Sequence, residues 1–431
     1  MRDGAKQTVF PADFQWGVAT SAFQLEGSPN ADWTTWDPVL QDSPQVTNHY
    51  TLFHEDLKLL KELGVKAYRF SLEWSRIQPR PDTWDDEAIA HYQEIIDILR
   101  GYDIEPMLTL HHFTNPRWFL DRHPWHRTSS REKFLRYTEK MVSTLRNVRY
   151  WITFNEPYVI LIGGYLDGCT PPGLKDVPRA LAALANIFTA HGRAFDIIHQ
   201  YVPDAKVSIA HNMSVFSPWK KWSPLDRLLK KTANYFYNHS IINAFQTGIF
   251  DVKFPFSRPV EIEVPIKGKL DFFGVNYYTR IHLRFNPFKK MGVELRYLDI
   301  EKHGLTHLGW EVHPRGLAKV LRYASRLNLP LIITENGIAT HDTERKVRFM
   351  KQHVDVVERC LKDGLDIRGY FYWTLIDNYE WLQGFDARFG LYRVDFKTMK
   401  RYPTSAASYY AYLIQSRSLM ETSRSKNVAP Q

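Results

Sequence analysis

Two glutamates in this 431-residue chain stand where a buried strand would end. The apolar run Trp151–Phe154 is followed by Asn155 and Glu156. A second apolar run, Leu331–Thr334, is followed directly by Glu335. Two carboxyl groups that face one scissile bond can divide the work of acid and nucleophile, which is the arrangement that cleaves glycosidic bonds. Whether the pair can meet depends on the elements that carry it.

The chain repeats one pattern, a short apolar run that stops at a polar residue and is followed by a longer helical pattern. The runs are Phe14–Thr20, Val65–Ser71, Pro106–Leu110, Trp151–Phe154, Val207–Ala210, Phe272–Val275, Leu331–Thr334 and Tyr370–Trp373. Helical spacing occurs between them, at His54–Leu63, Asp86–Gly101, Ser130–Leu145, Val177–His199, Pro314–Leu327 and Thr343–Gly364. Strands that alternate with helices indicate βαβ units and a parallel sheet. Eight repeats without a second pattern predict an α/β fold, a single (β/α)8 TIM barrel.

We expect residues 1–415 to form this barrel as one catalytic domain, with loop insertions at its C-terminal face. The segment 279–309 interrupts the alternation and is predicted to be an added loop or hairpin. Residues 416–431 are polar and without periodicity, which predicts a disordered tail.

The residues that follow the apolar runs are mostly His, Asn, Gln, Glu and Trp. In a parallel barrel these positions share the C-terminal face, where catalytic groups lie. Such side chains bind several hydroxyl groups at once and stack on a ring, so a neutral polyol is the expected ligand. The fourth and seventh strands lie on roughly opposite sides of an eight-stranded barrel. Glu156 and Glu335 can therefore flank one glycosidic bond.

Five segments, in order along residues 9–415, resemble the signatures of glycoside hydrolase family 1. They are Phe14–Ser28, Thr153–Pro157, Asp271–Tyr278, Ile333–Gly337 and Trp373–Trp381. The resemblance implies a retaining β-glycosidase, in particular a β-glucosidase that could also accept galactosides or fucosides, acting on small β-glycosides or short oligosaccharides. It implies no metal and no organic cofactor.

The resemblance also implies roles for particular residues. Glu156 is expected to be the acid/base and Glu335 the nucleophile. Contacts to the cleaved sugar are expected from Gln24, His112, Asn155, Trp373, Glu380 and Trp381, with Trp373 as the stacking platform. Arg69, Asn276 and Tyr278 are expected to support the pair. A second carboxylate roughly 5 Å away would raise the pKa of Glu156 and keep it protonated until Glu335 is esterified.

Two features depart from the family pattern. Phe113 stands where a tryptophan usually follows the histidine, which removes a hydrogen-bond donor beside the cleaved sugar. The stretch Ser28–Asn48 is shorter than is common, which would open the mouth of the site. Both bear on substrate preference, and neither changes the expected reaction.

Other readings of the same residues remain open. A 6-phospho-β-glycosidase would need cations where Glu380 stands, and that carboxylate would repel a phosphate. A non-catalytic sugar-binding relative would usually lack one of the two glutamates, and a transglycosylase would use identical residues. The pair His111 and His112 could suggest a metal, although core packing suits His111 better. A loop role and a ligand role are equally open for His211 and Asn212, whereas bracing of a loop is the better reading of Asp377.

The bulk composition limits compartments and partners. Two cysteines, Cys169 and Cys360, provide no disulfide framework, and no signal peptide or run of 18 apolar residues is visible, so a cytoplasmic protein without a membrane partner is expected. The formal net charge of +9 is spread along the chain and accompanies no nucleic-acid motif. Its densest cluster lies at residues 219–231, where a solvated helix face is favoured over a surface-binding segment. The oligomeric state is left open.

Overall fold

In the computed structural model, eight parallel strands close into a barrel. The structure describes residues 9–42, 45–252, 260–289, 292–296 and 306–422. The strands are β1 Gln15–Ala19, β2 Ala67–Ser71, β3 Glu105–His111, β4 Tyr150–Asn155, β5 Lys206–Asn212, β6 Val215–Pro218, β7 Ile249–Val252, β8 Val260–Glu263, β9 Phe273–Asn276, β10 Arg280–Phe285, β11 Val293–Arg296, β12 Leu331–Asn336, β13 Ile367–Trp373, β14 Tyr392–Asp395 and β15 Lys400–Pro403. The order of the strands around the barrel is β1-β13-β12-β9-β5-β4-β3-β2. Each predicted apolar run is a barrel strand, so the predicted fold is confirmed.

Helices connect the strands around the outside of the barrel. They are α1 Ala22–Glu26, α2 Asp32–Trp36, α3 Val39–Asp42, α4 His49–Leu63, α5 Trp74–Ile77, α6 Asp86–Gly101, α7 Arg117–Arg122, α8 Ser129–Thr144, α9 Pro157–Leu161, α10 Val177–Tyr201, α11 Pro224–Asn234, α12 Ser240–Thr247, α13 Pro314–Ala324, α14 Thr343–Lys362 and α15 Ser405–Thr422. The six predicted helices are present with small shifts at their ends. None of the helices in the described ranges is long and apolar enough to cross a membrane.

Local sequence explains where these helices begin and end. The Asp85 carboxylate accepts a hydrogen bond from the backbone N–H of Ala88 and caps the start of α6. Gly64 ends α4 with φ of 70°, a left-handed conformation that glycine adopts at low cost. These signals set the length of each βα unit, and hence where the next strand enters the barrel.

Two packed layers hold the strand ends in place. The larger apolar core lies between the barrel and its helices, and a smaller cluster inside the barrel includes Ala19, Ala67, Met107, Ile152 and Phe371. Alternate residues along a parallel barrel strand face inward, so this cluster fills the barrel beneath its C-terminal face. The polar strand ends therefore rest on a rigid base.

Two regions outside the barrel test the remaining predictions of architecture. The hairpin β10–β11, extended by parallel pairing of β10 with β6, confirms an insertion within 279–309, although residues 290–291 and 297–305 lie outside the described residues.

The predicted disordered tail is wrong for residues 416–422, because α15 continues to Thr422. Arg417 lies 3.2 Å from Glu358 of α14, and this ion pair anchors the continued helix. Residues 423–431 lie outside the described part of the chain.

Candidate active site

Glu335, at the end of β12, is held by a cation and by a phenol. Arg69 Nη1 donates to Glu335 Oε1 at 2.6 Å, and the Tyr278 hydroxyl donates to Glu335 Oε2 at 2.6 Å. Burial and the charge of Glu335 raise the pKa of Tyr278 well above its ordinary value, so the phenol keeps its proton and remains a donor. Both oxygens of Glu335 are thus occupied by donors that favour its anionic form.

Arg69 is fully buried and has a partner for each part of its guanidinium group. Besides Glu335, its Nη2 donates to Asn155 Oδ1 at 2.7 Å and its Nε donates to Thr109 Oγ1 at 3.1 Å. A buried arginine is stable only when its charge and donors are satisfied. Arg69 therefore ties the ends of β2, β3, β4 and β12 to one geometry.

Glu156 follows β4 with a backbone conformation that is rare outside glycine. Its φ is 45° and its ψ is 61°, in the left-handed region, and it precedes α9 as the N-cap residue. The Glu156 N–H donates to the Ala210 carbonyl at 2.7 Å, across an irregularity in the pairing of β4 with β5. This bond to β5 holds the strained backbone and directs the side chain over the barrel.

Asn276, at the end of β9, connects the two halves of the site. Its Nδ2 donates to Glu156 Oε1 at 2.8 Å and to Asn155 Oδ1 at 3.1 Å, while Thr334 Oγ1 donates to its Oδ1 at 2.6 Å. Asn155 Oδ1 is also bound by the arginine that holds Glu335. Glu156 and Glu335 are therefore joined by one continuous hydrogen-bond network and face the same pocket.

The two carboxyl groups differ in their electrostatic surroundings. Burial and the charge of Glu335 raise the pKa of Glu156 to about 8. The pKa of Glu335 is also raised, because burial outweighs the charge of Arg69 and the hydrogen bonds from Tyr278 and Arg69, which lower it. Glu156 accepts from neutral amides and has no cation in contact among the described residues. These partners favour the negative charge on Glu335 and the proton on Glu156.

Gln24 and Glu380 form a second polar cluster that the structure adds to the same face. Gln24 Nε2 donates to Glu380 Oε2 at 3.1 Å, and Trp373 also hydrogen-bonds to Glu380. Burial and the charge of Glu335 raise the pKa of Glu380 to about 8. Gln24 Oε1 is buried without a hydrogen-bond partner among the described residues. Buried polar atoms in native proteins usually have partners, and a sugar hydroxyl can satisfy this one.

An aromatic wall closes the pocket beside these polar groups. The His112 ring stacks on Trp373 at 5.7 Å and on Trp381 at 6.3 Å between ring centroids. Asn155 Nδ2 donates to His112 Nε2 at 3.1 Å, and burial lowers the pKa of His112 well below its ordinary value. The neutral ring therefore carries its proton on Nδ1, which has no partner in the described part of the chain and can donate to a ligand. Phe113 lies 5.2 Å from the Trp381 ring and contributes no polar atom.

Comparison with known proteins agrees with this geometry. The family model described as glycosyl hydrolase family 1 matches residues 6–419. The chain belongs to glycosyl hydrolase family 1. It is 31% identical to beta-glucosidase A of Thermotoga maritima, over 95% of this chain and 98% of that protein.

Solved structures of the family share the fold. A beta-glycosidase from Pyrococcus horikoshii superposes with a TM-score of 0.87 and 36% identity, over 95% of this chain and 96% of that one. The beta-glucosidase from Thermotoga maritima in complex with deoxynojirimycin gives a TM-score of 0.84 and 29% identity, over 95% and 99% of the two chains. This family 1 chain is accordingly a glycoside hydrolase.

Asn212 and Tyr237 lie in the candidate site of this family 1 hydrolase; the sequence left Asn212 open between a loop role and a ligand role, and it did not single out Tyr237. Asn212 Nδ2 donates to Glu156 Oε1 at 3.0 Å, and the Tyr237 hydroxyl donates to Asn212 Oδ1 at 3.2 Å. The position of Asn212 at the end of β5 was a signal for a site residue. Tyr237 lies in a π-helical segment, Tyr235–His239, that follows no strand, so no sequence pattern indicated it.

Three other residues weighed from the sequence have structural surroundings. His111 is buried between Trp125 and Phe154, and burial lowers its pKa to about 4. His211 donates from Nε2 to the Tyr237 carbonyl at 2.8 Å. Asp377 accepts from the Gly390 N–H at 3.0 Å and thereby braces the loop that carries Glu380. Within the described residues no group of three or more His, Cys, Asp or Glu side chains could hold a metal ion.

Proposed function

We propose that this family 1 hydrolase is a retaining β-glucosidase that acts on small β-glucosides or short oligosaccharides. The observation that carries the proposal is the unequal pair in one pocket. Glu335 is bound by Arg69 and Tyr278, whereas Glu156 is bound by neutral amides and has a pKa of about 8. A retaining glycosidase requires one ionised and one protonated carboxyl group in its resting state.

In the proposed first step, Glu335 attacks the anomeric carbon while Glu156 transfers its proton to the departing oxygen. The glycosidic C–O bond breaks and an ester forms between the sugar and Glu335. The Tyr278 hydroxyl can release Glu335 Oε2 as its charge disappears. Arg69 remains near the ester and loses its anionic partner.

In the proposed second step, the charge of Glu335 no longer raises the pKa of Glu156. Glu156 is then a carboxylate and takes a proton from water, which attacks the anomeric carbon and displaces Glu335. The two inversions give net retention. The residue that acts as acid in one half therefore acts as base in the other.

The polar cluster and the aromatic wall support a glucose-like substrate. Trp373 would stack on the apolar face of the cleaved sugar, and Asn155 would bind its 2-hydroxyl. Its other hydroxyl groups would be bound by Gln24, His112, Glu380 and Trp381. Two of the named relatives support the choice of sugar, since beta-glucosidase A of Thermotoga maritima is 31% identical to this chain and a beta-glucosidase of that organism was solved in complex with deoxynojirimycin. Glu380 disfavours a 6-phosphate, because a carboxyl group at this position supplies no positive charge to a phosphate dianion and repels it whenever the carboxyl group ionises.

A panel of nitrophenyl glycosides on the purified protein tests the substrate. We expect release of nitrophenol from the β-glucoside, with lower or equal rates on β-galactoside and β-fucoside, and none from the α-glucoside. Preference for the β-glucoside 6-phosphate would assign the protein to the phosphoglycosidase branch. Failure to cleave any β-glycoside by a folded protein would favour a sugar-binding relative.

Trapping tests the proposed nucleophile. A 2-deoxy-2-fluoro-β-glucoside with a good leaving group should inactivate the enzyme, and peptide mass spectrometry should find the sugar on Glu335. Label on Glu156 would reverse the two assignments. No label, together with an inverted product by NMR, would contradict a retaining mechanism.

We also propose a cytoplasmic location. It is supported by the two cysteines, since Cys169 and Cys360 are both free thiols and a reducing compartment keeps thiols in that form. Fractionation with marker enzymes in a high-salt buffer tests this: activity should accompany a cytosolic marker, and activity confined to the medium would contradict it.

A further inference from the structure

Four large apolar side chains protrude from the insertion beside the barrel and form what we name the apolar tip. They are Trp222, Leu225, Phe285 and Phe288, with 73%, 42%, 36% and 95% of their surface exposed. Scattered single apolar residues on a protein surface are normal, whereas a contiguous group indicates an interaction site. The question is whether these four residues are neighbours.

Asp226 joins the segments that carry Trp222, Leu225 and Phe285. Its Oδ2 accepts from the backbone N–H of Lys220 at 2.9 Å, and its Oδ1 accepts from the N–H of Phe285 at 2.9 Å. The Trp219 N–H donates to the Leu283 carbonyl at 2.7 Å. The turn that holds Trp222 is therefore bonded to the end of β10.

The tip residues are not required to fill the core of the insertion. That core consists of Phe216, Leu229 and Leu283, which are buried where α11 packs on β6 and β10. Phe288 lies in the turn after β10, where the Phe288 N–H donates to Asn286 Oδ1 at 3.1 Å. With 95% of its surface exposed, the Phe288 ring has almost no packing contact with the described residues.

Exposed basic residues surround the apolar tip. Lys220, Lys221, Arg227 and Lys289 are all exposed. In the described part of the insertion, two acidic side chains are engaged: Asp226 is buried, and Glu294 pairs with Arg284 and with Arg296, the latter at 3.0 Å. The rim of the tip is therefore positive. This combination of aromatic rings and cations complements a surface that is apolar just below an anionic layer.

We propose that the apolar tip and its basic rim dock this enzyme on an anionic lipid surface. Trp222 and Phe288 would insert at the level of the headgroups, and the four basic side chains would lie against lipid phosphates. Aromatic rings partition to this depth, and lysine and arginine strengthen binding to anionic lipids. The sequence alone favoured a solvated helix face at residues 219–231, because the spacing does not show that β10 brings two further phenylalanines beside it.

The docked orientation follows from where the insertion leaves the barrel. β6 begins shortly after β5 ends at Asn212, and β10 begins shortly after Tyr278. Both residues belong to the candidate active site, so the insertion rises from the catalytic face of the barrel. At about 3.3 Å per strand residue, Phe285 lies roughly 20 Å along the chain from Tyr278. Docking would place the mouth of the site beside the lipid surface.

Sedimentation with vesicles tests the proposal on the full-length enzyme. The probes are vesicles of phosphatidylcholine alone and vesicles that also contain phosphatidylglycerol. We expect binding only to the anionic vesicles, weakened by added salt. The double variant Trp222→Ala/Phe288→Ala and the double variant Lys220→Glu/Lys221→Glu should each lower the binding constant about tenfold or more. Hydrolysis of soluble nitrophenyl glucoside should stay unchanged in both.

Matched controls come from other exposed side chains. Tyr412→Ala removes an aromatic ring that is 64% exposed on α15, and Lys351→Glu reverses an exposed charge on α14. Both controls should bind vesicles as the wild type does. The proposal is overturned if the wild type does not bind anionic vesicles, or if the controls lose as much binding as the tip variants.

A second copy of the chain is the other occupant to exclude. Sedimentation velocity should give the same mass for the wild type and for Trp222→Ala/Phe288→Ala. A wild-type dimer that this variant converts to a monomer would assign the tip to self-association and overturn the lipid proposal. Because activity on a soluble substrate is measured alongside, failure of the lipid proposal leaves the proposed hydrolysis intact.

Discussion

Glu335 and Glu156 are the same residue type, buried at the same face of one barrel, yet their surroundings differ in kind. Glu335 is contacted by the guanidinium of Arg69 and by a phenol, so its anion is stabilised. Glu156 accepts hydrogen bonds from the neutral amides of Asn276 and Asn212, and its pKa is raised to about 8. A positive partner on one side and only amides on the other is sufficient to separate the roles of nucleophile and acid.

The comparison also shows that the two surroundings are not independent. Asn155 Oδ1 accepts from both Arg69 and Asn276, and Asn276 donates to Glu156, so a displacement of the cation reaches the acid through three hydrogen bonds. The charge of Glu335 is itself one cause of the raised pKa of Glu156. Substitutions beside Glu335 and substitutions beside Glu156 should therefore change different kinetic quantities. Each should also have a smaller effect on the other glutamate.

The largest effect is expected from Glu335→Gly. Loss of the nucleophile should lower kcat by at least ~10⁴-fold, the scale of removing a nucleophile elsewhere. Azide can occupy the space and attack the anomeric carbon, so it should restore turnover and give an α-glycosyl azide, identified by NMR. A β-azide would instead exchange the two assignments.

Glu156→Ala should depend strongly on the leaving group. Without proton donation, alkyl glucosides should lose about 10²–10⁴-fold in kcat/KM, whereas dinitrophenyl glucoside, which leaves without a proton, should lose far less. The measurement is kcat/KM across a series of leaving groups. Equal losses throughout the series would contradict the acid role of Glu156.

Arg69→Lys keeps the positive charge and removes the planar guanidinium group, whose two Nη atoms bind Glu335 and Asn155. We expect kcat to fall about 10²-fold. Reaction needs ionised Glu335, and weaker stabilisation of the anion raises its pKa, so the acidic limb of the kcat/KM profile should move to higher pH. A variant with wild-type kcat and an unmoved acidic limb would show that Arg69 does not set the state of the nucleophile.

The smallest effect is expected from Asn212→Ala, which removes one hydrogen bond from Glu156. Reaction needs protonated Glu156, so activity should fall as pH rises through about 8 in the wild type. The lost bond lowered that pKa, so the basic limb should move up by roughly half to one pH unit, with a threefold to tenfold lower kcat/KM. The control Ser214→Ala removes only the 3.4 Å contact from Ser214 Oγ to Asn212 Oδ1 and should leave the limb in place. A basic limb unmoved in Asn212→Ala would contradict this positioning role.

Local sequence predicts much of the barrel, because each strand is a buried apolar run and each strand end is polar. Glu156 and Glu335 could be found in this way, since the ends of parallel strands meet at one face. The left-handed backbone of Glu156 could not be predicted from the sequence, because it depends on a hydrogen bond to the neighbouring strand β5. Tyr237 as a site residue and the apolar tip could not be predicted from the sequence either, because both arise where segments distant in sequence fold against each other.

The most direct test of the account is the pKa of Glu156 itself, measured by NMR with carboxyl-labelled glutamate in the wild type and in Glu335→Gln. We predict a pKa of about 8 in the wild type and a lower pKa in the variant, still above the ordinary 4.5 because Glu156 remains buried. An unchanged pKa would contradict the claim that the two carboxyl groups share one pocket and act on one bond.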